Sequence, residues 1–187
     1  MVLIRSTAKG VSYLCYLISS THPNHKQRTY VGVTNNIHRR LRQHNREITG
    51  GAKSTNIGRP WDVWITIEGF RNQSACLQFE WMWKHMKPRS SHGKKARITK
   101  LRNLLCKDQW TRNSPLAKTM PLKVTVFDRL NESDCDDVRE YGSLWAYELL
   151  CSDSVGSSEE INSHSIAMLP EYIDVLYSGN FKDNYEN

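Results

Sequence analysis

A cation and an imidazole four residues apart, two tyrosines in neighbouring strand-like runs and one isolated carboxylate are the side chains here that could act on a phosphate ester. Arg40 and His44 are spaced so that a helix would project both from one face. Tyr16 and Tyr30 lie upstream in short apolar runs, and Glu80 stands among Phe79, Trp81 and Trp83 in a region where only five acids precede Asp128. Phosphodiester hydrolysis needs a group to take a proton from water, positive charge against the pentavalent phosphorus, and often a metal held by a carboxylate. The tyrosines or the histidine, Arg40 and Glu80 cover these three needs. Taken singly, each has a plainer account: core aromatics for Tyr16 and Tyr30, a surface charge for Arg40, a satisfied polar group for His44, and an (i, i+4) partner of Lys84 for Glu80.

These residues depend on the elements that carry them. Val11–Ile18 and Thr29–Val33, rich in aromatic and β-branched residues, predict a hairpin with a long loop. Asn35-Asn36 can cap a helix running from about Ile37 to Ile48, which Gly50-Gly51 ends. A basic loop through Lys53 and Arg59-Pro60 leads into a third strand, Asp62–Ile67, broken by Gly69. Ser74 is the expected N-cap of a second helix that puts Leu77, Trp81 and Lys84 on one side with Glu80 and closes at Pro88. Ser90–Arg97 reads as a mobile basic link. Ile98, Leu101, Leu104 and Leu105 predict a third helix packed on the core, and Leu122, Val124 and Val126 a short strand. Cys151–Ser165 has the composition of a linker, and Ile166–Tyr177 could form a last amphipathic helix.

Charge sorts the chain into two parts. Residues 1–127 hold 23 Lys+Arg against 5 Asp+Glu, a net +18, whereas residues 128–187 hold 3 against 14, a net −11. A strongly basic body suits a polyanion, because each neutralised phosphate releases condensed counterions. Five scattered cysteines without a Cys-x-x-Cys pair argue for reduced thiols, a nuclear or cytoplasmic setting and no structural zinc. No apolar run reaches the length of a membrane span and the first residues do not read as a signal peptide, so the expectation is a soluble, unsecreted protein with no membrane partner.

The order of the candidate residues resembles the GIY-YIG nuclease superfamily, whose signature stands here as Leu14-Cys15-Tyr16 and Tyr30-Val31-Gly32, followed by Arg40, His44 and Glu80. The resemblance is sharper still to the Slx-type structure-specific endonuclease subunit of eukaryotes, through Tyr30–Thr34, Arg39–Asn45, Gly50-Gly51-Ala52, Arg59-Pro60-Trp61, Gly69-Phe70 and Leu77–Trp81. It departs at Leu14, where the signature has glycine, and at Lys53, where an aromatic is common. Where the subfamily continues into a RING-like zinc domain, the acidic segment stands instead.

The resemblance implies an α/β fold with a small three-stranded antiparallel sheet flanked by helices and extra C-terminal helices. We divide the chain into a catalytic domain at 1–88, a basic helical extension packing on the core at 89–127 and a partly flexible acidic region at 128–187. It implies a catalytic set of Tyr16, Tyr30, Arg40, His44 and Glu80, with one Mg²⁺ or Mn²⁺ on Glu80 and either tyrosine as the base. Arg39, Arg42, Arg46, Lys53 and Arg59 would ring the site, and Lys94, Lys95 and Arg97 would form a further phosphate-contacting strip. The implied substrate is branched DNA in repair or recombination, with a possible protein scaffold or activator and an open oligomeric state. The other classes in play are a DNA-binding module without catalysis and a sequence-specific nuclease of the homing or restriction kind.

Overall fold

The computed structural model describes residues 12–89, 93–127, 169–171, 173–178 and 181. Five strands form one sheet: β1 (Leu14–Ser20), β2 (Thr29–Thr34), β3 (Trp61–Glu68), β4 (Leu122–Phe127) and β5 (Ile173–Ser178), in the order β2-β1-β3-β4-β5. The first four pair antiparallel and β5 lies parallel to β4. Among the described residues three α-helices accompany it, α1 (Ile37–His44), α2 (Gln73–His85) and α3 (Gly93–Leu105).

β1 sits inside the sheet and is buried on both faces, which is why Cys15-Tyr16-Leu17-Ile18 lacks a polar alternation. Cys15 and Leu17 join the larger core with α2 and α3; Tyr16 and Ile18 join a smaller one with Ile37 and Leu41 of α1, Trp61 and Val63. Trp64 is the extra residue of a bulge, since Leu17 pairs with Ile65 and Ile18 with Val63. It turns into the larger core beside Ile65.

Several sequence expectations need correction. The fold is α/β as expected, but the sheet is mixed and five-stranded rather than three-stranded and antiparallel. The segment expected as a last helix, Ile166–Tyr177, contains β5: Ile173, Val175 and Tyr177 also alternate with period two, and pairing with β4 satisfies a backbone edge that would otherwise stay open. Residues 166–168 and the expected linker lie outside the described residues.

α1 stops at His44 rather than Ile48. Its chain reverses through Arg46, at φ 65°, whose N–H reaches Gln43 O while Glu47 N–H reaches Arg42 O, the paired bonds of a Schellman ending. α2 is capped by Asn72, whose Oδ1 accepts from Ala75 N at 2.9 Å, and not by Ser74. Lys94–Arg97, read as part of a mobile link, form the first turns of α3.

Candidate active site

The site is built where α1 crosses one face of the sheet near the edge strand β2. Tyr16 lies opposite Gly32 in the β1–β2 ladder, and its phenol crosses the space where a Cβ at position 32 would collide with it. That close approach is the physical reason for glycine in Tyr30-Val31-Gly32. Asn36 starts α1 by accepting from Arg39 N at 2.9 Å, so Arg40 and His44, one turn apart, both reach Tyr16.

His44 Nε2 is 2.8 Å from Tyr16 Oη, and His44 Nδ1 is 2.9 Å from Thr55 Oγ1. The Thr55 hydroxyl spends its one proton on Ala52 O, at 2.8 Å, so it accepts from His44 Nδ1–H. Nε2 is then the bare nitrogen and accepts from the Tyr16 hydroxyl. Burial, then the Arg40 charge, lowers the His44 pKa from 6.5 to about 4, which keeps the ring neutral. Burial also raises the pKa of Tyr16 above the usual phenol range, against the opposing pull of Arg40.

Arg40 donates from Nε to Tyr16 Oη at 3.1 Å, and from Nη1 to Gln43 Oε1 and Gly50 O, each at 3.0 Å. Burial works against its charge, but bonds to the phenol oxygens of Tyr16 and Tyr30 prevail and raise its pKa. The result is a fixed cation. Tyr30 completes the cluster, with its ring centroid 4.9 Å from that of His44 and 6.4 Å from that of Tyr16. Tyr16 is fully buried and Tyr30 half-buried, so of the two tyrosines only Tyr30 is open to solvent.

Glu80 arrives from α2, on the other side of β2. Its carboxylate pairs with Lys84, whose Nζ lies 5.2 Å from the centroid of the Tyr30 ring, so the lysine links carboxylate to cluster across the edge strand. Burial, then Glu80, pushes the Cys76 thiol up to about 12. Among the described residues no three His, Cys, Asp or Glu side chains converge as a metal-ligand set. One carboxylate fits a hard divalent ion that keeps most of its waters and takes other ligands from phosphate oxygens. It does not fit zinc.

The expected phosphate contacts divide. Arg39, Arg42, Arg46, Lys53, Arg59 and Lys95 are exposed. Arg46 is tied through Nε to Asn56 Oδ1 at 3.1 Å and Arg42 to Glu47 at 3.3 Å. Arg42 and Arg59 also line a groove of about 1040 Å³ formed by a different face of α1, with His38, Asn45 and Trp61. The strip on α3 is not a strip: Lys94 is buried with Nζ 5.8 Å from the centroid of Trp64, and Arg97 bonds to Trp83 O at 3.2 Å, so only Lys95 faces outward. A helix turns consecutive residues to different faces, which a run of basic residues read as a link conceals. Thr55 and Gln43 were missed altogether. Thr55 sits in an aperiodic loop with no signal of its own, whereas Gln43 lies one turn after Arg40 and could have been found from that spacing.

The tyrosine–histidine pair, the fixed arginine, the second tyrosine and the glutamate all lie within residues 12–95, which match the family of the GIY-YIG catalytic domain. Over those residues the chain carries a GIY-YIG domain, and it is similar to Slx-type endonuclease subunits. It is 35% identical over 146 residues to structure-specific endonuclease subunit slx1 of Schizosaccharomyces pombe, covering 72% of this chain and 52% of the relative. The protein of the same name in Aspergillus terreus is 31% identical over 188 residues, 92% of this chain and 40% of the relative. That of Xenopus laevis is 45% identical over 74 residues, 39% of this chain and 26% of the relative. The chain thus spans about half, or less, of the length of these relatives.

Proposed function

We propose that this protein hydrolyses phosphodiester bonds in branched DNA, such as flaps, forks and four-way junctions, in repair or recombination, with one Mg²⁺ or Mn²⁺ held by Glu80. The observation that carries this is the neutral His44 clamped between Tyr16 and Thr55, beside a fixed Arg40, an accessible Tyr30 and a carboxylate at the same sheet edge. When bound, the metal supplies Lewis-acid stabilisation of the phosphate oxygens.

The chain's own groups do the rest. Arg40, already tied to Tyr16, Gln43 and Gly50, meets the negative charge that grows on the phosphate with no reorganisation of its own. Tyr30, as its phenolate beside the cationic Arg40 and Lys84, takes the proton from the attacking water, whose oxygen bonds to phosphorus as the ester oxygen leaves; Tyr16 is sealed from solvent. Tyr16 and His44 position Arg40 and wall the centre against water. The exposed arginines on and after α1 bind backbone phosphates and carry no base recognition, which suits a substrate read by shape. The relatives are named as subunits, and we extend that to this chain: it works with a protein partner.

The test is Mg²⁺-dependent cleavage of labelled duplex, flap, fork and four-way-junction DNA of several sequences by wild type and Glu80→Gln. Cutting near the branch by wild type alone is expected. Equal cutting by both proteins overturns the assignment of Glu80, and cutting at one sequence irrespective of branching overturns the substrate class.

A further inference from the structure

Lys84 is paired with the carboxylate that the proposed function gives to a metal ion. Its ammonium is ion-paired with Glu80 Oε1 one turn earlier on α2, and the two side chains keep 33% and 16% of their exposure, respectively. Another ion pair, Arg42–Glu47, is 59% and 54% exposed and has no part in the cluster. Lys84 differs from an ordinary helix-surface partner in its second neighbour. The same Nζ lies over the Tyr30 ring, so one ammonium bridges the carboxylate and the accessible tyrosine.

We infer that Lys84 is a resident counter-ion that a divalent cation displaces from Glu80, and that it then serves as a positioning residue for Tyr30 and the bound phosphate. This rests on the nuclease function proposed above. Two cations compete for one carboxylate. With no group of three or more His, Cys, Asp or Glu converging among the described residues, an ion arriving at Glu80 meets the repulsion of an ammonium already in contact with the same oxygen. The lysine's four-carbon stem is flexible enough to release Glu80 while its charge stays near Tyr30. Glu80 is thereby held in one rotamer before metal arrives, and the site favours metal most when DNA phosphates bring the additional ligands.

The test is Mn²⁺ binding to the full chain, followed by the electron paramagnetic resonance signal of the free ion, with and without an uncleavable phosphorothioate flap. Lys84→Gln should tighten Mn²⁺ binding roughly five- to tenfold, the change expected for loss of a partly screened competing charge. Lys84→Arg, which can grip the carboxylate with two donors, should weaken it. Lys87→Gln, an exposed cation beyond the end of α2, should change it less than about twofold if contact rather than general charge is responsible.

In turnover, Lys84→Gln should lower both the metal concentration giving half-maximal rate and kcat, a split that simple helix destabilisation does not produce. Unchanged or weaker Mn²⁺ binding in Lys84→Gln, or an equal gain in Lys87→Gln, overturns the inference. Binding that survives Glu80→Gln instead overturns the metal assignment on which it stands.

Discussion

The two halves of the centre are held in different ways. On the α1 side, Tyr16, His44 and Thr55 are almost without exposure, and their bonds join residues far apart in the chain. On the α2 side, Glu80 and Lys84 are one helical turn apart and partly exposed. The first half is a product of the whole fold: each of its hydrogen bonds replaces water that cannot return. The second is a local and exchangeable ion pair. In the proposed function, chemistry that must keep one geometry is placed where the fold enforces it, and chemistry that would open to a metal and a phosphate is placed where it can yield. Mutations on the two sides should therefore separate activity from stability.

The largest expected effect is on the α2 side. Glu80→Gln should reduce cleavage by at least about 10³-fold, the scale on which metal-assisted charge stabilisation operates. Its melting temperature should fall by no more than about 2–4 °C, because a partly exposed pair contributes roughly 1 kcal/mol or less. Single-turnover cleavage and differential scanning calorimetry on one preparation check both. A large loss of stability would mean that Glu80 is as deeply built in as Tyr16.

The two tyrosines sharpen the contrast. Tyr30→Phe should lower the cleavage rate by about 10²- to 10⁴-fold, as loss of a general base does, with little change in stability. Tyr16→Phe strips a bond from both Arg40 Nε and His44 Nε2. It should destabilise by about 1–3 kcal/mol while costing less activity than Tyr30→Phe. The reverse ranking in rate would move the proton transfer to Tyr16.

The same division explains what could be read from the sequence. Arg40 and His44 were legible because helical spacing is a local rule, and β1 to β3 because short β-branched and aromatic runs between turn residues are local too. β5 was misread because Ile173–Ser178 satisfies both periods over a short length, and the partner that decides the matter, β4, lies about fifty residues away. Thr55 could not be found, since its role depends on where a loop crosses α1. Lys94 and Arg97 were misplaced because charge alone does not say which side of a helix is covered: the Lys94 ammonium lies over the Trp64 ring and the Arg97 guanidinium donates to Trp83 O.

Acid should weaken the α1 side more than the α2 side. The His44 pKa is about 4 in the folded chain, below its ordinary 6.5, so between those values the unfolded chain binds more protons at this residue. The contribution is fully present above pH 6.5 and is lost as pH falls towards 4, amounting to at most about 3 kcal/mol from this group. Urea unfolding at pH 7 and pH 5 of wild type and His44→Gln checks it: the wild type should lose more stability than the variant. Equal losses would show that His44 is already free to take a proton when folded.

The smallest effect tests the tautomer. Thr55→Val keeps the shape of the side chain but removes the oxygen that accepts from His44 Nδ1–H. The orphaned donor should cost about 1–2 kcal/mol. It should also free the imidazole to carry its proton on Nε2, where it would face Tyr16 Oη as a donor and force that hydroxyl to turn away. Arg40 Nε donates to the same oxygen, so its aim at the phosphate would loosen and cleavage should fall by only about tenfold, with metal binding at Glu80 unchanged. Thr55→Ser, which restores the oxygen, should recover most of both losses. Nitrogen-15 shifts of the His44 ring report the tautomer directly: Nδ1 protonated in wild type and in Thr55→Ser, and a shift towards Nε2 in Thr55→Val. An unchanged tautomer in the valine variant would mean that Tyr16 alone orients the ring, and that the buried half of the site reaches no further than the sheet and α1.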